Sequence, residues 1–438
     1  MDHSPSPLDG DLAGGRRGLP PFLSALEHQN FRLVWLSQLA RGTSLWLQLT
    51  TVPLLAVLFG GSALDLGIIV GLQYGPVLLF GPLGGVLADR LDKHRALVRL
   101  QVLVTVLALI FAVLTTTRII TIGYILILAA AFGLATSIEM PIRQAFLAEL
   151  VPRNRLPNAI VLQQAALNTT RLLGPATAGL LVVVVGFGAT FAIAGSLNLV
   201  ATLLMLRMNR RQIDHVPRPD ADGIARSLAA GLRYVMAAPR VRTPLLVLLG
   251  ATTFALGILA VLPIYATDLL ALDSLGYGLL LSAFGAGGVL GAAPMSLIPS
   301  RAVTRSIPIA LMGAAGAMLT LGIASSNAAF PVISLLGFCA IVVFGSTNVL
   351  VQLSLDDRVR GRVMGIYVAI FSGGTAIGGI LTGALAQQFG IRTPFAVCAA
   401  ALAILGVCSL FVLHKPDAGD SLGEQAGDYQ ASDSHLHH

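Results

Sequence analysis

The sequence predicts an all-α membrane protein: twelve transmembrane helices in two six-helix bundles, with both termini cytoplasmic. Three observations lead there. Hydrophobic residues make up 55% of the 438-residue chain and charged residues only 11%, too little polar surface for a soluble protein of that length. About a dozen long apolar runs fill residues 31 to 413, each long enough to cross a roughly 30 Å hydrocarbon core as a helix, which satisfies its own backbone polar groups. Threaded through a bilayer with the N-terminus inside, the 28 lysines and arginines fall on the inner face, except Arg118 and Arg392 outside and Arg41 and Arg171 within spans. This is the positive-inside pattern, and it requires an even number of crossings.

In chain order, residues 1–30 are polar and rich in Pro, Gly and Asp. They are expected to form a disordered cytoplasmic tail, without the apolar core of a cleaved signal peptide. Residues 31–207 form the first bundle, with spans near 31–59, 66–88, 96–116, 119–143, 157–185 and 189–207. The longest polar interruption, 208–242, is expected to be a cytoplasmic loop; with Arg207 just before it, eight arginines run from Arg207 to Arg242. Residues 243–413 form the second bundle, with spans near 243–270, 276–299, 304–324, 328–353, 361–386 and 393–413. The acidic, polar stretch 414–438 is expected to be a second disordered cytoplasmic tail.

The two bundles repeat each other. Gly174, Gly179, Gly186 and Phe191 are matched by Gly378, Gly383, Gly390 and Phe395, all at one constant offset. Arg32, Pro53 and Gly81 are matched by Arg242, Pro263 and Gly291 at a second constant offset. A single loop-length change accounts for the shift. A parallel repeat of this kind is one plan for transporters, with the substrate site between the halves.

Several function classes are excluded or weakened. The net charge of +7 is spread over short inner loops, where it meets anionic head groups, and gives no sign of nucleic-acid binding. Cys339, Cys398 and Cys408 all lie in apolar runs, so no disulfide framework is expected. The chain has no phosphate-binding loop and only two lysines, Lys93 and Lys415, which argues against driving transport by ATP. Its histidines (His3, His28, His94, His215, His414, His435, His437 and His438) lie outside the spans. Neither a metal, a haem nor a Ser/His/Asp triad is therefore expected within the bilayer. The chain is not expected to be an enzyme or to carry a cofactor.

Between spans 2 and 3 stands Gly81-Pro-Leu-Gly84-Gly85-Val-Leu-Ala-Asp89-Arg90-Leu-Asp92-Lys93-His94-Arg95. This resembles the signature loop of the major facilitator superfamily, carried here by Gly85, Asp89, Arg90 and Lys93. It departs from the pattern at Asp92, where the family usually has Gly, and at His94. The resemblance implies that Asp89 latches the halves in the outward-facing state. Span 11 begins after Arg358-Val-Arg-Gly-Arg362, and a helix N-terminus attracts an anion. Asp89 then caps that end, while Arg90 or Arg143 balances its charge. Span 5 carries Arg171-Leu-Leu-Gly174-Pro175-Ala-Thr-Ala178-Gly179, which looks like the antiporter signature of the same family. Gly174, Pro175 and Gly179 kink the helix and let neighbours approach. This motif reads equally as packing without any transport direction.

Other phrases, among them Ser137-Ile-Glu139-Met-Pro141-Ile-Arg143-Gln-Ala145 and Arg360-Gly361-Arg362-Val363-Met364, resemble bacterial exporters of the macrolide-efflux and enterobactin-exporter branch. That resemblance implies proton-driven efflux of an amphipathic, drug- or siderophore-like small molecule by a multi-pass protein of the bacterial inner membrane. Contacts with membrane lipids and a functional monomer are also expected. Members commonly carry Gly-Asp in span 1 where this chain has Ser44-Leu45. An uptake symporter, a lipid or lysolipid flippase, and a non-transporting membrane sensor are the alternative readings.

Ionisable groups inside spans are costly, which makes them functional candidates. Glu139 sits inside span 4, and Arg171 lies at similar depth in span 5, so the two are expected to pair as a proton-coupling site. Glu139 also precedes Arg143 by four residues, the favoured order for an ion pair along one helix. A fixed ion pair that never titrates is the competing reading. Arg41 lies deep in span 1, either lining the cavity or snorkelling inward. Trp46, Gln48, Tyr74, Gln164, Asn168, Asn348 and Tyr367 are further cavity candidates, each also readable as a helix–helix contact.

Overall fold

A computed structural model describes residues 21–147, 149–152, 155–210, 224–295 and 300–413. The side chains of 21–22, 79, 81–90, 224–228, 294–295, 300–302, 357–358 and 413 also lie outside the description. The expected C-terminal tail and residues 1–20 of the N-terminal one fall outside the described residues; residues 21–30, expected to be disordered, are instead a 3₁₀ turn and the start of a helix, with Ser24, Ala25 and Asn30 buried. The described chain is helical throughout. A short 3₁₀ turn, Pro21–Glu27, leads into α1 (Gln29–Leu58), α2 (Ala63–Arg90), α3 (Lys93–Thr116), α4 (Ile122–Leu147) and α5 (Leu156–Leu206).

The fifth and sixth expected spans run together in α5, and the chain turns at Gly186 (φ 82°, ψ 171°). Only glycine enters that backbone region without strain. Gly390, its partner in the repeat, closes the helix before the last span with almost the same geometry (φ 88°, ψ 160°). The repeat read from the sequence is thus present in the backbone itself. Phe191 and Phe395, five residues after each turn, are both fully buried.

The interruption between the halves departs from the expected loop. It contains α6 (Ile224–Ala237), followed directly by α7 (Pro239–Ala251). The reason is the pattern of Leu232, Val235 and Met236 against Arg233 and Tyr234, which suits a helix lying along a surface; Val235 is buried while Leu232 and Met236 are exposed. Beyond α7 the chain changes pitch repeatedly. A π-type turn (Thr252–Leu256), a 3₁₀ turn (Gly257–Ala260), the short α8 (Leu262–Ile264) and a second π-type turn (Tyr265–Leu269) follow in succession. Pro263 cannot donate to a regular helix here. Thr382 supports the same stretch by donating to the Gly257 carbonyl at 2.8 Å. The remaining helices are α9 (Ser274–Met295), α10 (Ser300–Leu321), α11 (Ser326–Leu353), α12 (Asp357–Phe389) and α13 (Thr393–Leu413).

Among the described residues, nine helices are long and apolar enough to cross a membrane. Helix α1 is not one of them, because Gln38, Ser44, Gln48, Thr50 and Thr51 dilute its hydropathy; all five are turned inward and buried. The outer surface is the reverse of a soluble protein's. Ile127, Val184, Ile309, Ile323 and Phe411 are all exposed, as suits helices solvated by lipid.

Helices α1 to α5 pack on one another, as do α7 to α13, and the two sets meet mainly along α2–α12 and α5–α9. Glycine sets how closely they meet. A Cβ added to Gly383 would strike the Ala63 carbonyl and the Gly67 backbone, and one added to Gly67 would strike Gly379. The other seam repeats this arrangement. A Cβ on Gly179 would strike the Ser274 carbonyl, and one on Gly278 would strike Pro175 and Gly179. Backbone touches backbone at this end of each seam. Farther along, Leu78 packs on Gly373 in one seam; in the other the Arg171 carbonyl still lies against Gly285, and beyond it the Arg171 guanidinium lies near Gly288.

Candidate functional site

Glu139 is almost fully buried in α4, and two arginines converge on it. Arg41 of α1 forks onto the carboxylate, with Nε donating to Oε1 at 2.5 Å and Nη2 to Oε2 at 2.7 Å. Arg143, one turn on in α4, donates from Nη2 to Oε1 at 2.6 Å. The i,i+4 pair read from the sequence is therefore present, and the cluster carries one excess positive charge. Arginine's planar guanidinium suits such paired donation. In hydrocarbon, ionised side chains persist when they pair and face the protein interior.

The expected Glu139–Arg171 pair does not form. Equal depth was the only basis for it, and depth fixes height along the membrane normal, not direction around the helix. Arg171 faces the seam with α9 instead. Its guanidinium lies 6.0 Å from the centre of the Phe284 ring, and Tyr74 of α2 is within electrostatic range. Arg41, offered as a cavity-lining cation, is the one that binds Glu139. Neither its reach nor its rotation about α1 is encoded in spacing along the chain.

The Gly174-Pro175 motif builds the α5–α9 seam. Pro175 denies the Arg171 carbonyl its usual helical donor, and that carbonyl lies against Gly285 of α9. The next amide, Ala176, donates to Ser282 Oγ across the seam at 2.9 Å. Gly174 lets the stem of Trp46 from α1 sit on its backbone, so Trp46 is anchored to helix packing. Gln48 is buried within α1 and donates to Ser44 Oγ at 3.3 Å. Gln164 and Asn168 are exposed on α5.

Asn348 and Tyr367 do line a cavity. It has a volume of about 410 Å³ and is otherwise walled by Ala292, Ile341, Phe344, Gly345 and Val349. Tyr367 donates its hydroxyl to the Phe344 carbonyl at 2.9 Å, and Gln352 donates to Asn348 Oδ1 at 2.5 Å. Phe371 packs edge-on against Phe344. Sequence reasoning missed Phe284 and Gly288, which lie beside Arg171, and Ile341, which lines the cavity and packs on Gly288; as apolar or small residues in an apolar run they carry no signal of their own.

Of the expected latch residues, Gly85, Asp89 and Arg90 have side chains outside the described residues. Lys93 donates to Glu149 Oε1 at 2.7 Å, tying the start of α3 to the segment after α4. Asp92 caps α3 by accepting from the Arg95 amide at 3.0 Å, which gives the departure from Gly at this position a structural role. Arg143 is held by Glu139, and Arg362 is exposed near the start of α12.

Comparison with known proteins agrees with this architecture. Residues 21–432 match the family model of the transmembrane secretion effectors. The multidrug efflux pump Tap of Mycolicibacterium fortuitum is 28% identical over 404 residues, covering 87% of this chain and 95% of that one. Tap of Mycobacterium tuberculosis is 31% identical over 302 residues, 65% of this chain and 68% of that one. The enterobactin exporter EntS of Shigella flexneri is 25% identical, covering 88% and 92%. Among solved structures, the nucleoside transporter NupG superposes with a TM-score of 0.65 at 16% identity over 89% of this chain and 99% of that one. A bacterial homologue of the lysosomal transporter Spinster, inward-facing and unoccupied, gives 0.67 at 13% identity over 91% and 98%. The chain is a multi-pass membrane protein and a transporter, not an enzyme, and it belongs to the transmembrane secretion effector family of the major facilitator superfamily.

Proposed function

We propose that the protein exports an amphipathic small molecule across the bacterial inner membrane by alternating access, exchanging it for protons and working as a monomer among lipids. The observation that carries this reading is the pair of repeat-related glycine seams, closed backbone to backbone near Ala63 and Ser274, with the side chains of Leu78 and Arg171 entering them farther along. Two bundles, 31–207 and 243–413, rock about such seams. Twelve crossings follow if α1, α2, each arm of α5 and the irregular stretch 239–270 are each counted with α3, α4 and α9 to α13. Both termini and α6 then lie in the cytoplasm, the closed end faces outward, and the cavity beside Asn348 opens inward.

In this cycle Glu139 exchanges its arginine partners for a proton, Arg41 and Arg143 holding it ionised until the helices move. Asp89, with Gly85, Arg90, Lys93, Arg143 and Arg362 around the inner ends, latches the opposite state. The export direction is supported by the multidrug and enterobactin efflux relatives. The test is counterflow of candidate amphipathic compounds in proteoliposomes, with and without a pH gradient. Saturable exchange without the gradient, and net movement with it, is expected; no exchange of any compound would reject the reading.

A further inference from the structure

Arg41, Arg143 and Arg171 lie within the spans, and only Arg41 and Arg143 face the acid Glu139. Among the described residues Arg171 makes no ion pair. It is half-buried between the two helical sets, with Phe284 of α9 on one side at 6.0 Å and Tyr74 of α2 within electrostatic range. Aromatic contact offsets part of the cost of holding a cation at that depth. An anion would offset more, because charge-assisted hydrogen bonds strengthen as water is excluded.

The guanidinium is also linked to a cavity through Gly288 of α9. A Cβ built on Gly288 would lie 3.9 Å from Arg171 Nη2 and 3.0 Å from Ile341. Ile341 lines the cavity of about 410 Å³ together with Ala292, which is one turn beyond Gly288 on α9. A cation is thus separated by Gly288 from an apolar space with aromatic walls, and Arg41, Glu139, Arg143 and Arg171 together sum to a positive charge. We propose that Arg171 is the head-group subsite of this transporter: it holds the sulfonate, carboxylate or phenolate of an amphipathic aromatic anion whose rings fill the cavity beside Phe344 and Tyr367. Cationic amphipaths meet repulsion there. This rests on the transporter reading and names its substrate class.

The test is equilibrium binding to the full chain in phosphatidylcholine nanodiscs, corrected with empty discs. The probes are anilinonaphthalene sulfonate and phenylnaphthylamine, which share a skeleton and differ in the sulfonate. The wild type is expected to bind the sulfonate about tenfold more tightly, the size of one charge-assisted contact. Arg171→Gln removes that preference and leaves the neutral probe unchanged; Arg171→Lys retains part of it. Equal binding of the two probes by the wild type overturns the proposal without any variant. So does an Arg171→Gln protein that keeps the preference, or one that loses both probes alike. Binding needs no gradient, so the two readings fail separately. A preparation that shows the preference but never transports rejects export and supports the subsite; one that transports without the preference rejects the subsite alone.

Discussion

Glu139 pairs with two guanidinium groups from different helices, and its removal has consequences that differ by role. Changing Glu139 to Gln strands Arg41 and Arg143 in an apolar layer, a loss on the order of 3–5 kcal/mol for a broken buried pair. A purely structural role predicts a lower unfolding midpoint and a parallel fall in exchange and gradient-driven transport. It also predicts partial rescue of all three when Arg41 is changed to Gln as well. Proton coupling predicts that gradient-driven transport is abolished while gradient-free exchange survives. Measuring both rates in one reconstituted preparation separates the two. Asp89→Asn tests the latch: turnover should fall while binding and expression hold, since a bias of a few kcal/mol between two states is enough to stall a cycle. Normal turnover would remove Asp89 from the mechanism. At this scale the sequence was half legible. Glu139 and Arg143 share a helix, so their spacing gave the contact. The bond from Arg41 depends on the rotation of α1 against α4, which no local pattern records, and the same ignorance produced the expected Arg171 pairing.

Helices were more legible than contacts, because apolar run length and flanking charge are local properties. Their joins were less so. The central segment was expected to be a loop, yet the amphipathic α6 forms there; its fourteen residues are too short and too basic to resemble a span. The turns at Gly186 and Gly390 were visible only as matched glycines, without their conformation. Gly186→Ala and Gly390→Ala should each cost about 1–3 kcal/mol, since alanine is strained in that backbone region. Thermal unfolding in detergent or nanodiscs checks this, and an unchanged midpoint for both would contradict the backbone geometry. The seam glycines predict a different defect. Gly383→Val forces the Ala63 and Gly67 backbones apart, so transport should fall more than stability. A variant transporting at the normal rate would show that the closed seam is not needed for the cycle.

Across the whole molecule, the arginines and lysines predict the topology. Cysteines introduced singly at Arg118 and Arg392 should react with an impermeant maleimide from outside the cell. Those at Lys93, Arg218 and Arg360 should react only after permeabilisation. Labelling of position 218 from outside would overturn the orientation and the twelve crossings together. Fold class was legible at this scale because lipid leaves a chain few solutions, and the repeat doubled the signal. Direction of transport was not legible, because the same two-bundle geometry serves movement either way. The most direct measurement is therefore the sign of coupling. Proteoliposomes containing the purified chain, loaded with an amphipathic fluorescent substrate at equal concentration on both sides, are given a pH step of either sign. Net movement of substrate opposite to the proton flow, reversing when the step reverses and abolished by a proton ionophore, is the predicted result. Movement in the same direction as the protons, or none with either sign, would contradict proton-driven export.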